Sequence, residues 1–416
     1  MLFLGLLAFI VLTFVQPQEF VPAIKGLPLV YVTMAFVTLL WCWRASVTKR
    51  TNFSKTPQNI LMNIFLVLVT ISTLSLGWLS NTFNIFFQWA KVILIYFTMI
   101  SIVDTKKRLK IVLWLIVSSM AVTAIMGILQ YYGVDITGEG LVDERIAGVG
   151  IFGTNQLAYA LDFCLPLAFG LLVLSRHFIA KISLSIILLA YAYCIYLTQS
   201  RGGQLCFLAV LLIITLKFSR NKRLKVFGVI FGVLLFMVLI KLSPRFSTTF
   251  EYQTDKSAMG RLDVWGEALS SLKDNPVLGI GYEQFKQRFA IASHNSYIQT
   301  VTELGLLGLF IWLALFYHSL KNLNFINRHI VTKDKKEIMV VSRSLQVSLY
   351  AYLVGSYFSS SAYYVPLYML FALVVIVQKM SGLSNKFYFK LKDIVVIFVI
   401  EICVLLFIHI LTRTSS

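Results

Sequence analysis

Apolar residues run along this chain in blocks, most of them 17 to 20 residues long, parted by short polar turns. A helix needs about 20 such residues to cross the hydrocarbon of a bilayer. In order, the blocks fall at roughly 2–15, 27–43, 60–79, 83–102, 111–131, 155–174, 182–198, 205–216, 226–242, 297–316, 345–358, 363–378 and 394–411. The pattern predicts an all-α polytopic membrane protein with 12 or 13 transmembrane helices. The count turns on whether the short first block crosses fully and whether 394–411 spans the membrane or lies along it. Residues 1–416 read as a single membrane domain. One connection stands out, 243–293, with 51 residues that include six acids and six bases. A loop of that length is usually functional.

Composition agrees with this pattern. Hydrophobic residues make up 58% of the chain and charged residues 13%, against about 25% charged in soluble domains. The net charge of +19 is unevenly placed. The even-numbered loops sum to +21, whereas the odd-numbered loops and C-terminal tail sum to −1. That is the positive-inside pattern. It puts the N-terminus and the even loops in the cytoplasm and makes the excess charge a topology signal rather than a nucleic-acid footprint. Residues 1–15 lack a basic flank and a small-x-small cleavage site, so they read as a retained span. The cysteines 42, 164, 194, 206 and 403 lie in or beside apolar blocks with no CxxC spacing, as small core residues do.

Polar chemistry gathers in three odd loops. Residues 132–154 are acidic and glycine-rich, with Asp135, Glu139, Asp143 and Glu144. The turn from Thr198 to Gly203 holds Arg201, a cation on the side where cations are scarce, ahead of two glycines that let the backbone approach a ligand. It reads as a binding residue or as an arginine snorkelling to the interface. In the long loop, Leu262, Trp265, Leu269 and Leu272 form one apolar helix stripe, ended by Asp274-Asn275-Pro276 and a Gly279-Ile280-Gly281 turn. Arg261 is expected in the first turn of that helix. A cation there opposes the dipole unless an anion sits between it and the free N–H groups; the alternative is a surface pair with Asp263 or Glu267.

His294-Asn295-Ser296 stands where the loop re-enters the membrane, and Glu303 follows inside the next span. Ionisable groups at membrane depth are functional candidates by default. An unperturbed histidine suits proton transfer near neutral pH. His318, His329 and His409 read as interfacial. Lys91 and Asp162 lie within spans and are candidates to pair across helices. Asn155 shares a helix face with Asp162 and is a possible cavity-lining residue, as is Asn295. No DxD pair, histidine cluster or P-loop occurs, so no metal or nucleotide cofactor is expected. Arginine forks suit phosphate oxygens, and the outer-face residues therefore suggest an enzyme acting on a phosphate-bearing lipid.

These residues also resemble a known family. Gly260-Arg-Leu-Asp-Val-Trp265, Asn275-Pro-Val-Leu-Gly-Ile-Gly-Tyr-Glu-Gln-Phe285, His294-Asn-Ser-Tyr297, Glu303-Leu-Gly305 with Gly308, Ser200-Arg-Gly-Gly203 and Gly153-Thr-Asn155 are together similar to the O-antigen ligase and O-antigen polymerase superfamily, over about residues 150–310. The resemblance implies a GT-C-like, metal-independent, inverting glycosyltransferase of the bacterial inner membrane, with its active site facing the periplasm. Its donor would be a glycan on undecaprenyl diphosphate and its acceptor a sugar hydroxyl of lipid A-core. By motif, Arg201 and Arg261 would hold the donor diphosphate, His294 would activate the acceptor hydroxyl, and Glu303, at the family's acidic position, would be a second catalytic residue. Moderate length and a single moderate outer loop favour the ligase branch over the polymerase. A lipid-linked glycan transporter would show internal repeats and spans interrupted at mid-depth, and the sequence shows no such repeat.

Overall fold

The computed structural model describes residues 1–48, 56–75, 77, 79–142, 144–150, 152–219, 221–242, 256–330, 335–383 and 388–413. The first part of the long loop, 243–255, and Asp143 fall outside them. The helices are α1 (Leu2–Phe14), α2 (Pro17–Phe20), α3 (Leu29–Thr48), α4 (Pro57–Leu74), α5 (Leu79–Ile102), α6 (Lys106–Tyr131), α7 (Thr154–Leu174), α8 (Phe178–Leu197), α9 (Arg201–Phe218), α10 (Lys222–Leu242), α11 (Lys256–Ser271), α12 (Phe285–Phe289), α13 (Ser296–His329), α14 (Lys335–Ser356), α15 (Val365–Met380) and α16 (Leu391–Arg413). Among the described residues nine helices are long and apolar enough to cross a membrane, and α1, α3 and α15 are shorter apolar helices. This is the all-α polytopic architecture expected.

Short side chains start several of these helices. The Thr56, Thr105 and Ser200 hydroxyls accept from the N–H of the third residue of α4, α6 and α9, satisfying donors that a helix start leaves unpaired. Between α6 and α7 the acidic loop makes two short antiparallel pairings, Leu141–Val142 with Arg145–Ile146 and Gly148–Val149 with Phe152–Gly153. Asp135 organises the turn before them by accepting from the Thr137, Gly138 and Gly140 N–H groups.

At the two extremes of hydropathy, burial runs the opposite way. The α16 window has the highest mean hydropathy, 3.1, and is 17% buried; the α14 window has the lowest, 1.3, and is 72% buried. In lipid this is the expected order, because apolar side chains gain nothing by leaving the bilayer while polar ones must find partners inside. Helices α7, α13 and α14, whose apolar windows are 72–78% buried, form the centre. α14 packs on α7, α9 and α13, and α13 packs on α4. Where α7 crosses α14, Gly170 faces Ser344 so closely that an added Cβ would lie 2.0 Å from its hydroxyl.

Candidate functional site

Helix α13 is broken near its start, and the break organises the site. Gly305 has φ 68 and ψ −171, a combination in practice reserved for glycine. A break within the protein frees main-chain groups that must be paired again. The turn after α11 does this. Ile280 N–H donates to Thr302 O at 2.8 Å, Gly281 N–H to Glu303 O at 3.0 Å, and Leu306 N–H to Pro276 O at 2.9 Å. The Ser72 hydroxyl lies 2.8 Å from Leu278 O and 3.1 Å from Glu303 O. The backbones meet so closely that a Cβ on Gly305 would lie 2.2 Å from Val277 O, and one on Gly279 2.5 Å from Thr302 O.

Glu303 closes this joint. Its side chain is buried, and Oε1 accepts from the N–H of Phe285, the first residue of α12, at 3.1 Å. Oε2 has no hydrogen-bond partner, and Tyr363 stands beside it. The acidic position found in the sequence therefore ties α12 to the broken helix.

At the head of α13, His294 adopts φ 49, a left-handed conformation uncommon for a non-glycine residue. A mesh of hydrogen bonds holds it there. Its N–H donates to Ser360 Oγ at 2.8 Å, and Ser293 Oγ and Ser360 Oγ are 2.8 Å apart. Trp265 Nε1–H donates to Ser293 O at 2.7 Å, which anchors α11 to the turn. Ser296 Oγ donates to Ser359 O at 2.6 Å and accepts from Ser361 N–H at 3.0 Å. The segment between α14 and α15 thus grips the histidine from the other side.

Two further elements converge here. Arg201 opens α9, and Gly202 beside it lies so close to its neighbours that a Cβ would sit 2.3 Å from Tyr159 Oη and 2.6 Å from Phe358 Cβ. The Arg261 guanidinium acts electrostatically on both Tyr159 and His294. Burial first, and then the Arg261 charge, push the His294 pKa down to about 4, because both disfavour a second cation. The imidazole is therefore neutral at pH 7 with a free nitrogen lone pair, and its pKa is not the unperturbed one expected from the sequence. A small cavity adjoins the turn, lined in part by Gln156, Tyr159, Ser359, Ser361 and Tyr364. The Ser359 hydroxyl is buried without a partner.

Several sequence expectations change. Arg261 is the sixth residue of α11 rather than in its first turn, so the free N–H groups of that helix lie behind it and the anion argument rests on the guanidinium alone. Asn295 caps α13, its Oδ1 accepting from the N–H of Tyr297 at 2.9 Å and of Ile298 at 3.1 Å. Its Nδ2 is buried without a hydrogen-bond partner. Asn155 is half-buried in the first turn of α7, and the neighbouring Gln156 lines the cavity. Lys91 and Asp162 do not pair: the Lys91 ammonium lies 4.2 Å from the centre of the Tyr31 ring, and both Asp162 oxygens are buried without a hydrogen-bond partner. His318 is likewise fully buried rather than interfacial.

Sequence reasoning passed over Tyr159, Ser360 and the hydrogen-bonding end of Trp265. The run Ser359-Ser360-Ser361 between two apolar blocks was the available signal for one of them. Nothing in the sequence marked Tyr159, which lies mid-block and owes its role to the bare Gly202 opposite.

Comparison with known proteins gives two matches. Residues 184–313 match a family model described as O-Antigen ligase. A putative polysaccharide ligase of Rickettsia felis is 30% identical over 23% of this chain and 28% of its own length. The chain thus matches less than a third of that relative. The family-model segment runs from α8 into α13 and contains Arg201, Arg261, His294 and Glu303.

Proposed function

We propose that this chain, which over residues 184–313 matches a family model described as O-Antigen ligase, transfers a glycan from undecaprenyl diphosphate to a sugar hydroxyl of lipid A-core, at the periplasmic face of the bacterial inner membrane. The observation that carries the reading is the convergence of Arg261 and His294 beside the α9 turn that bears Arg201. The leaving group is a lipid diphosphate, which needs charge stabilisation more than protonation. Arg201 and Arg261 supply positive charge where the negative charge develops. His294, already neutral, takes the acceptor proton as the hydroxyl attacks the anomeric carbon. Single displacement inverts that centre. A diphosphate beside Arg261 also offsets the field that holds the histidine pKa low, so donor binding raises the basicity of the base when it is needed. Glu303 serves this chemistry by fixing α12 and the loop.

The test is a lipopolysaccharide gel of a deletion strain probed for O-antigen. Bare lipid A-core with long glycan retained on the prenyl carrier supports the ligase reading. Lipid A-core carrying a single repeat unit refutes it and makes the protein the polymerase.

A further inference from the structure

A roomy cavity lies away from the arginines. It measures about 690 Å³ and opens among α1, α3, α5 and the Tyr363–Val365 segment. This size is ample for a ligand headgroup. Its walls differ in kind. Phe9, Leu12, Met34 and Val92 make an apolar side, and Gln16, Gln18, Glu19 and Glu283 make a polar rim.

Lys91 lines the cavity between these zones. It sits about 18 Å along α5 from the helix start, at ~1.5 Å per residue. Among the described residues its ammonium has a ring neighbour, Tyr31, and no carboxylate within ion-pair distance. A cation–π contact recovers only about 0.5–2 kcal/mol, and an ammonium at membrane depth ordinarily has an anionic partner. The pairing with Asp162 that would have supplied one is absent.

The cavity also borders the site. Tyr364 lines both this cavity and the small one beside the His294 turn. Tyr363, its neighbour, packs on Tyr282 with ring centres 4.7 Å apart. The arginines approach from the other flank, on α9 and α11, which pack against α14, α13 and α16.

We propose that this cavity is the berth of the acceptor, an anionic glycolipid. Its chain lies along the Phe9–Met34 wall and a phosphate pairs with Lys91. Its sugar hydroxyls donate to Glu19 and Glu283 at the rim, where uncharged Gln16 and Gln18 complete a hydrogen-bonding edge. One ammonium suits a phosphate monoester or diester, leaving the diphosphate to the paired arginines. The assignment rests on the transferase reading.

The experiment uses full-length protein in proteoliposomes, with a benzophenone side chain in place of Leu27, a half-exposed rim residue, and O-antigen-free lipopolysaccharide as probe. Irradiation is expected to give an adduct with lipid A-core. Lys91→Glu should weaken it about tenfold, the loss of a charge-assisted contact, and Lys91→Arg should retain it. Excess undecaprenyl diphosphate should leave it unchanged, as should Arg261→Gln. Adducts with phosphatidylglycerol only, competition by the prenyl diphosphate, or indifference to Lys91→Glu would each overturn the berth. A strain whose ligation survives deletion of the protein refutes the transferase reading instead, whatever the crosslink shows.

Discussion

Glu303 offers the sharpest test of how the site is built. Its carboxylate is 1% exposed and accepts the Phe285 N–H at 3.1 Å. Phe285 is itself 2% exposed, so that N–H has no water to turn to. Glu303→Ala strands the donor, at a cost of about 1–3 kcal/mol, and frees α12 from the broken helix. Glu303→Gln keeps an acceptor oxygen on a side chain of the same shape. The expected outcome is that Ala lowers the thermal midpoint of the purified protein and its transfer rate together, whereas Gln keeps transfer within a few-fold. A residue carrying a proton in the reaction behaves otherwise: its amide would lose roughly 10²–10⁴ in rate at an unchanged midpoint. Both quantities are read on one preparation, by intrinsic fluorescence on heating and by donor turnover in proteoliposomes. A dead but fully stable Gln variant would refute the positioning role and make Glu303 catalytic.

Three more outcomes follow from the geometry. Because His294 is held near pKa 4, the base is deprotonated across pH 5–8; kcat/KM for the donor should be flat there and fall as pH drops through about 4, and Arg261→Gln, which removes one lowering charge, should move that fall to higher pH. Gly305→Ala puts a side chain into φ 68 and against Val277 O, with strain of about 1–3 kcal/mol before any clash, so a thermal midpoint equal to wild type would contradict the described break. Ser360→Ala removes the acceptor of the His294 N–H at a cost of about 1 kcal/mol, and should lower kcat while leaving donor binding, read by isothermal titration with undecaprenyl diphosphate, unchanged.

What the sequence determined by itself is the all-α polytopic architecture, together with a charge bias that predicts its orientation. A bilayer requires about 20 apolar residues per crossing, and lysine and arginine bias the turns on one side, so both messages are local and can be read residue by residue. The positions of Arg201, Arg261, His294 and Glu303 were legible for the same reason: charge is rare in such a chain, and each stands out against an apolar background.

Only the tertiary structure decided what these residues do for one another. Glu303 looked like an isolated buried acid until the loop folded back to place the Phe285 N–H on it. Arg261 looked like a helix-start cation until α11 proved to extend upstream of it. Asn295, a plausible lining residue, turned its side chain onto its own helix. Lys91 and Asp162, the obvious buried pair, have other surroundings. Each outcome depends on contacts between segments tens to hundreds of residues apart, such as Ser72 with Glu303 or Ser293 with Ser360. Hydrophobic periodicity cannot encode them, because in lipid the helices are chosen by apolar length alone while their neighbours are chosen by small residues, freed backbone groups and the few polar side chains that must find partners.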